Sequence, residues 1–132
     1  MTEIPLQTPY EKLGGEAGIR RLVKAFYDIV ESDSAGLPLV AMHNLGNGLA
    51  HARQAQFEFL SGFFGGPQLY VEAHGHSNVR KMHEHLAVTA VERDSWLTCM
   101  DKALKAHGLD ENTQRLFLNH FTRVANMLVN RP

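Results

Sequence analysis

The sequence predicts an all-α fold, and three observations carry that prediction. Apolar residues recur at spacings of three and four along most of the chain, segments open on N-terminal capping signals and close on glycine, and no period-two run is long enough for a sheet. The 132 residues have the length of one domain, 1–132, with no repeat or linker.

Thr8-Pro9-Tyr10-Glu11 reads as a capping box with proline at the first helical position, and Gly14-Gly15 stop that helix after little more than a turn. Glu16 opens a longer helix with the stripe Ile19, Leu22, Val23, Phe26, Tyr27 and Val30. From Ser32 to Gly48 the pattern breaks, and glycine, proline and asparagine around the apolar run Leu37–Met42 predict a long irregular connection. Leu49, Ala52, Phe59, Leu60, Phe63 and Phe64 restore the stripe until Gly65-Gly66-Pro67. Val79, Met82, His83 and Leu86 share one face of a short helix. Thr89 and Glu92 form a second capping box, before a helix carrying Trp96, Cys99, Met100, Ala103 and Leu104 inward to Gly108. Asp110 caps the last helix, whose stripe is Leu116, Phe117, His120, Phe121, Val124, Leu128 and Val129.

Composition removes several function classes. Thirteen basic and 14 acidic side chains give a formal charge of −1, so no general field gathers nucleic acid or an anionic membrane. The lone Cys99 excludes an intramolecular disulfide and any cysteine-rich metal site, which fits a reducing compartment. Met1–Pro5 carry no leader signal and no continuous apolar span follows, so the expected location is cytoplasmic.

Eight histidines in a nearly neutral chain need an explanation. His74-Gly75-His76 and His83-Glu84-His85 suggest metal, but the zinc-protease motif would need its second histidine at position 87, which is alanine. On a helix His83 and His85 diverge by about 200°, and Val79, Met82 and Leu86 select His83 as the inward one. Tyr27 and Trp96 lie on inner stripes with polar atoms that must be satisfied in the core or meet a ligand, and each alone is more simply a core residue. Gln56 interrupts an apolar face, a hint of a polar cavity. Cys99 reads as plain core.

Phe26-Tyr27, the segment Phe59-Leu60-Ser61-Gly62-Phe63-Phe64-Gly65-Gly66-Pro67, Gly75-His76 with His83 downstream, and Glu92-Arg93-Asp94-Ser95-Trp96-Leu97-Thr98-Cys99-Met100 together resemble the group II truncated haemoglobins. The likeness runs through nearly the whole chain in order. It implies a two-over-two α-helical sandwich around one non-covalent haem b, and the sequence has no Cys-x-x-Cys-His for thioether attachment. By the same resemblance His83 is the proximal ligand, and Tyr27, Trp96 and His43 stand on the distal side. Ala52, Gln56, Phe59 and Leu60 lie on the helix over the distal face, with Ala52 small where many globins place histidine. Tyr70 and Arg80 are candidates for holding the haem propionates. Glu84-His85-Leu86 follow His83 where the family often has proline and phenylalanine.

The function so implied is binding of dioxygen, and of carbon monoxide or nitric oxide, with slow release caused by distal hydrogen bonds. An enzyme acting on nitric oxide or peroxide is the alternative, and it would need a partner reductase because the chain has no flavin or nicotinamide motif. An all-α interaction module whose histidines bind metal incidentally is the third reading. Monomer and homodimer both remain open.

Overall fold

The computed structural model describes residues 8–44, 46 and 48–132. Met1–Pro5, read above for a leader, and Asn47 of the expected connection lie outside them.

Helix α1 (Pro9–Leu13) forms where the capping signal placed it: Thr8 Oγ1 accepts the Glu11 amide at 3.1 Å, and Gly14 ends the helix at φ +103°. α2 (Gly15–Ser32) follows at once and buries Ile19, Leu22, Val23, Phe26, Tyr27 and Val30, the stripe read from the sequence. The two helices meet at Gly18, where a Cβ would stand 1.7 Å from the Leu13 carbonyl oxygen. Gly18→Ala must therefore push α1 away from α2. We expect it to cost about 1–3 kcal/mol in urea unfolding, as overpacking typically does. An unchanged midpoint would show that α1 moves freely.

The stretch from Ser32 to Gly48 corrects the sequence reading, because most of it is helical. A short 3-10 turn (Ser34–Gly36), capped by Asp33 Oδ1 on the Ala35 amide at 2.9 Å, leads into α3 (Leu37–Asn44). α3 has no stripe to read: Leu37 is 64% exposed while Leu39 is fully buried in the same apolar run. α4 (Leu49–Phe63) ends before Gly65, at φ +92°. Two short helices then follow, α5 (Leu69–His74), which the sequence did not predict, and α6 (Val79–His83), capped by Asn78 Oδ1 on the Lys81 amide at 3.1 Å.

α7 (Ala90–Ala106) carries the full reciprocal box, in which Glu92 Oε1 accepts the Thr89 amide at 2.9 Å and Thr89 Oγ1 accepts the Val91 amide. α8 (Glu111–Leu128) starts on Asp110, which accepts the Thr113 amide at 3.0 Å. Its buried line is Thr113, Phe117, Phe121 and Ala125, so Leu116, expected inward, is 52% exposed one position outside that line.

α2 packs on α4 and α7, and α7 on α8, giving two helix pairs laid one over the other. Phe26, Leu60, Phe64, Met100, Leu104, Phe117 and Phe121 belong to one buried cluster between them. Past α6 the chain is pinned by Asn130. Its Oδ1 accepts the Val88 amide at 2.9 Å and its Nδ2 donates to the Leu86 carbonyl at 3.0 Å.

Candidate functional site

A cavity of about 1190 Å³, counting its open mouth, lies between the helix pairs, with a mainly apolar wall. Leu39, Phe59, Leu60, Val79, Met82 and Phe121 supply much of that surface. Seven helices reach it, so no single segment could have revealed its outline. Tyr27, His43, Ala52, Gln56, Phe59, Leu60, Tyr70, His83 and Trp96, all singled out from the sequence, line this one space. Arg80 does not. It is exposed, and faces a separate outer hollow with Asn78, Lys81, Glu84 and Arg131.

The residues missed by sequence reasoning include His51 at the wall and Arg93, whose guanidinium bonds Asp94 at 3.0 Å and Asn126 at 3.3 Å. Arg93 sits beside the Thr89–Glu92 box three residues before Trp96, which was signal enough to place it near the cavity. Nothing in the sequence singled out His51.

His83, the last residue of α6, is half-buried, with Nδ1 2.8 Å from the Val79 carbonyl. A carbonyl only accepts, so Nδ1 carries the proton and the Nε2 lone pair is left free. Burial pulls the imidazole below its ordinary range, the Val79 bond opposes this, and the nearby imidazoles of His43 and His85 lower it further. The ring is neutral at pH 7, as metal ligation requires. His85 lines the cavity edge but is exposed. It and Leu86 lie past the end of α6 at His83, so the helix phase expected from the sequence does not extend to them.

His43 repeats the arrangement on α3, with Nδ1 2.8 Å from the Leu39 carbonyl and burial as the main cause of a lowered pKa. Its free nitrogen is therefore also a lone pair. The expectation that His43 donates a hydrogen bond to a ligand meets a physical obstacle, because it would first have to take up a proton that burial disfavours.

Tyr27 is 2% exposed, with its hydroxyl 3.4 Å from the Ala52 carbonyl, at the long end of hydrogen bonding. Burial raises its pKa far above the ordinary value, against the opposing charge of Arg53, so the phenol keeps its proton. Trp96 is held between Phe26, at 5.2 Å between ring centroids, and Phe121, at 5.1 Å. Among the described residues no acceptor takes its indole N–H, and no buried side-chain nitrogen or oxygen is left without a partner, so that N–H is not sealed in the core, and its residue lines the cavity. Two proton donors and the Gln56 amide thus share an apolar space with a neutral imidazole.

The donor set fits a haem. His83 and His43 each present a free imidazole nitrogen at the wall of an apolar cavity, and the lone cysteine is buried in the core and absent from the lining. Among the described residues no three His, Cys, Asp or Glu side chains are placed to hold a metal ion by themselves.

Comparison with known proteins agrees with this geometry. Residues 8–130 match the family model described as bacterial-like globin. The chain is 32% identical over 123 residues to the group 2 truncated hemoglobin YjbI of Bacillus subtilis (strain 168), covering 93% of this chain and 89% of the relative. Its fold superposes on the cold-adapted truncated hemoglobin of the Antarctic marine bacterium Pseudoalteromonas haloplanktis TAC125 with TM-score 0.88 and 39% identity, over 96% of this chain and all of that one. The group II 2-on-2 hemoglobin of Agrobacterium tumefaciens gives TM-score 0.89 at 27% identity, over 99% of this chain and 100% of that one. With the same two-over-two sandwich and an imidazole-walled cavity, the chain belongs to the bacterial-like globins as a group II truncated haemoglobin, a family membership that implies haem-based oxygen binding.

Proposed function

We propose that this protein binds haem b without a covalent link, through His83, and holds dioxygen in a hydrogen-bonded pocket from which release is slow. The observation that carries the reading is the meeting of the free His83 nitrogen with the Tyr27 hydroxyl and the Trp96 indole on one apolar cavity. Haem b, when bound, supplies a reversible site for dioxygen, carbon monoxide or nitric oxide. The chain's own residues do the rest. Phe59, Leu60, Val79 and Met82 give the group an apolar bed, and Tyr70 and Arg93 are the wall residues that can meet its carboxylates, in place of the outward-facing Arg80. Tyr27 and Trp96 offer protons to the more polar ligands, with Gln56 on the same wall as an adaptable donor or acceptor.

Release slowed by two donors suits storage, sensing or reaction better than bulk delivery. Chemistry on nitric oxide or peroxide would require electrons from a partner reductase. The single buried Cys99 fits a cytoplasmic setting, and among the described residues no helix is long and apolar enough to cross a membrane. The absorption spectrum tests the reading. A strong Soret band with about one haem per chain is expected on reconstitution. A chain that takes up no haem on titration would overturn it, and steady nitric oxide or peroxide consumption with a physiological reductant would make it an enzyme.

A further inference from the structure

We propose that Glu58 and His74 are positioning residues for Tyr70: a carboxylate on α4 and an imidazole on α5 that together fix this tyrosine at the cavity wall and set how long haem is retained. The proposal rests on the reading that Tyr70 meets the haem carboxylates.

α5 is six residues long and buries none of them. A helix that short does not hold itself together in water, so its place depends on what its side chains grip. Leu69 packs against the core at its start, and Ser61 Oγ donates to the Pro67 carbonyl just before it at 2.7 Å. At its far end the tie is His74 Nε2 on Glu58 Oε1 at 3.1 Å, with the two side chains 35% and 16% exposed. Since the carboxylate only accepts, Nε2 carries a proton and donates it. The second tie, Gln68 Nε2 to the Gly62 carbonyl, is longer at 3.3 Å.

The His74 ring so held lies against Tyr70, 4.2 Å between centroids and tilted by 33°. Phe59 of α4 meets Tyr70 edge-on at 6.5 Å, and His76 does so at 5.7 Å. His76 in turn accepts the amide of Asn78, the residue that caps α6. The tyrosine is thus boxed by rings, and only the His74 wall is fastened to α4 by a charge-assisted bond. Without it, α5 keeps its backbone turn but loses the contact that selects one position for Tyr70.

The test is transfer of haem from the reconstituted protein to excess apomyoglobin, followed at the Soret band. Tyr70→Phe should speed transfer, and Glu58→Gln and His74→Phe, the second of which keeps the ring stack, should each speed it about three- to tenfold. The double variant Glu58→Gln with His74→Phe should be no faster than His74→Phe alone, because both changes act on the same bond, which an amide oxygen keeps without charge and phenylalanine removes. Glu58→Gln should also add nothing in the Tyr70→Phe background, an outcome a general loosening of the fold would not give. If Glu58→Gln and His74→Phe stay within about 1.5-fold of the parent while Tyr70→Phe does not, the brace is overturned and the Tyr70 reading stands. If Tyr70→Phe itself changes nothing, the Tyr70 reading falls and the brace with it. Equal acceleration by Glu58→Gln with and without the Tyr70 hydroxyl also overturns the proposal, since the carboxylate would then act elsewhere.

Discussion

Replacing His83 by alanine is expected to abolish stable haem uptake, whereas His85→Ala leaves it largely intact. The two imidazoles are two positions apart, so only the physical asymmetry between them predicts the difference. His83 is half-buried, has its tautomer fixed by the Val79 carbonyl and presents a lone pair at the cavity wall. His85 is exposed beyond the end of α6. Removing the first takes away the half-buried imidazole that would hold the iron, and removing the second takes away a solvated ring. Haem content after reconstitution should fall below about a tenth of the parent value for His83→Ala and stay above about four-fifths for His85→Ala. Far-ultraviolet circular dichroism supplies the control. The His83 side chain makes one hydrogen bond, to a carbonyl of its own helix, so the helical signal should survive the change. Loss of haem in the His85 variant alone would mean that the ligand assignment is wrong.

The second large effect is expected at Trp96. Trp96→Phe should speed oxygen dissociation roughly ten- to a hundredfold, because a hydrogen bond to a partly charged acceptor contributes about 1.5–3 kcal/mol, at about 1.4 kcal/mol per decade. Phenylalanine can keep the packing between Phe26 and Phe121, so the substitution removes a donor more than an anchor. Carbon monoxide, the less negatively charged ligand when held at a ferrous centre, should respond less. Tyr27 supplies the second donor, and its weak 3.4 Å bond to the Ala52 carbonyl means that Tyr27→Phe strands no well-paired acceptor. The double variant should therefore depart from the sum of the single changes in dissociation rate while the melting temperature moves little. Stopped-flow dissociation within about twofold of the parent in single and double variants would make Trp96 a core residue and remove the distal hydrogen-bond account.

The helices with one clear inner face were legible because burial writes itself into spacing. Leu22, Phe26 and Val30 on α2, and Thr89 with Glu92 at the start of α7, are as expected. α3 escaped notice for the opposite reason, since an apolar run touched by neighbours at only some positions shows no period, and the glycines on either side of it look like a loop. α5 buries nothing, so no pattern marks it. Leu116 shows the converse error, an apolar residue in phase by count but turned outward in space. The inward phase of His83 followed from its own helix, while the tautomer that makes His43 a lone pair depends on a carbonyl bond that no sequence pattern displays. The Glu58–His74 pair depends on the turn at Gly65–Pro67 bringing residues 16 apart into contact.

The clamp of Asn130 on Leu86 and Val88 bears on the order in which the molecule is built. It spans 42 and 44 residues of sequence, with all of α7 and α8 between its ends. Chains emerge from the ribosome N-terminus first, and contacts of long sequence separation close late. The bonds that fasten Leu86 and Val88, just past His83, therefore form only after residue 130 has been made and the last helical hairpin has docked. A nascent chain stalled before that point lacks this clamp, and is expected to take up haem less well than the full chain.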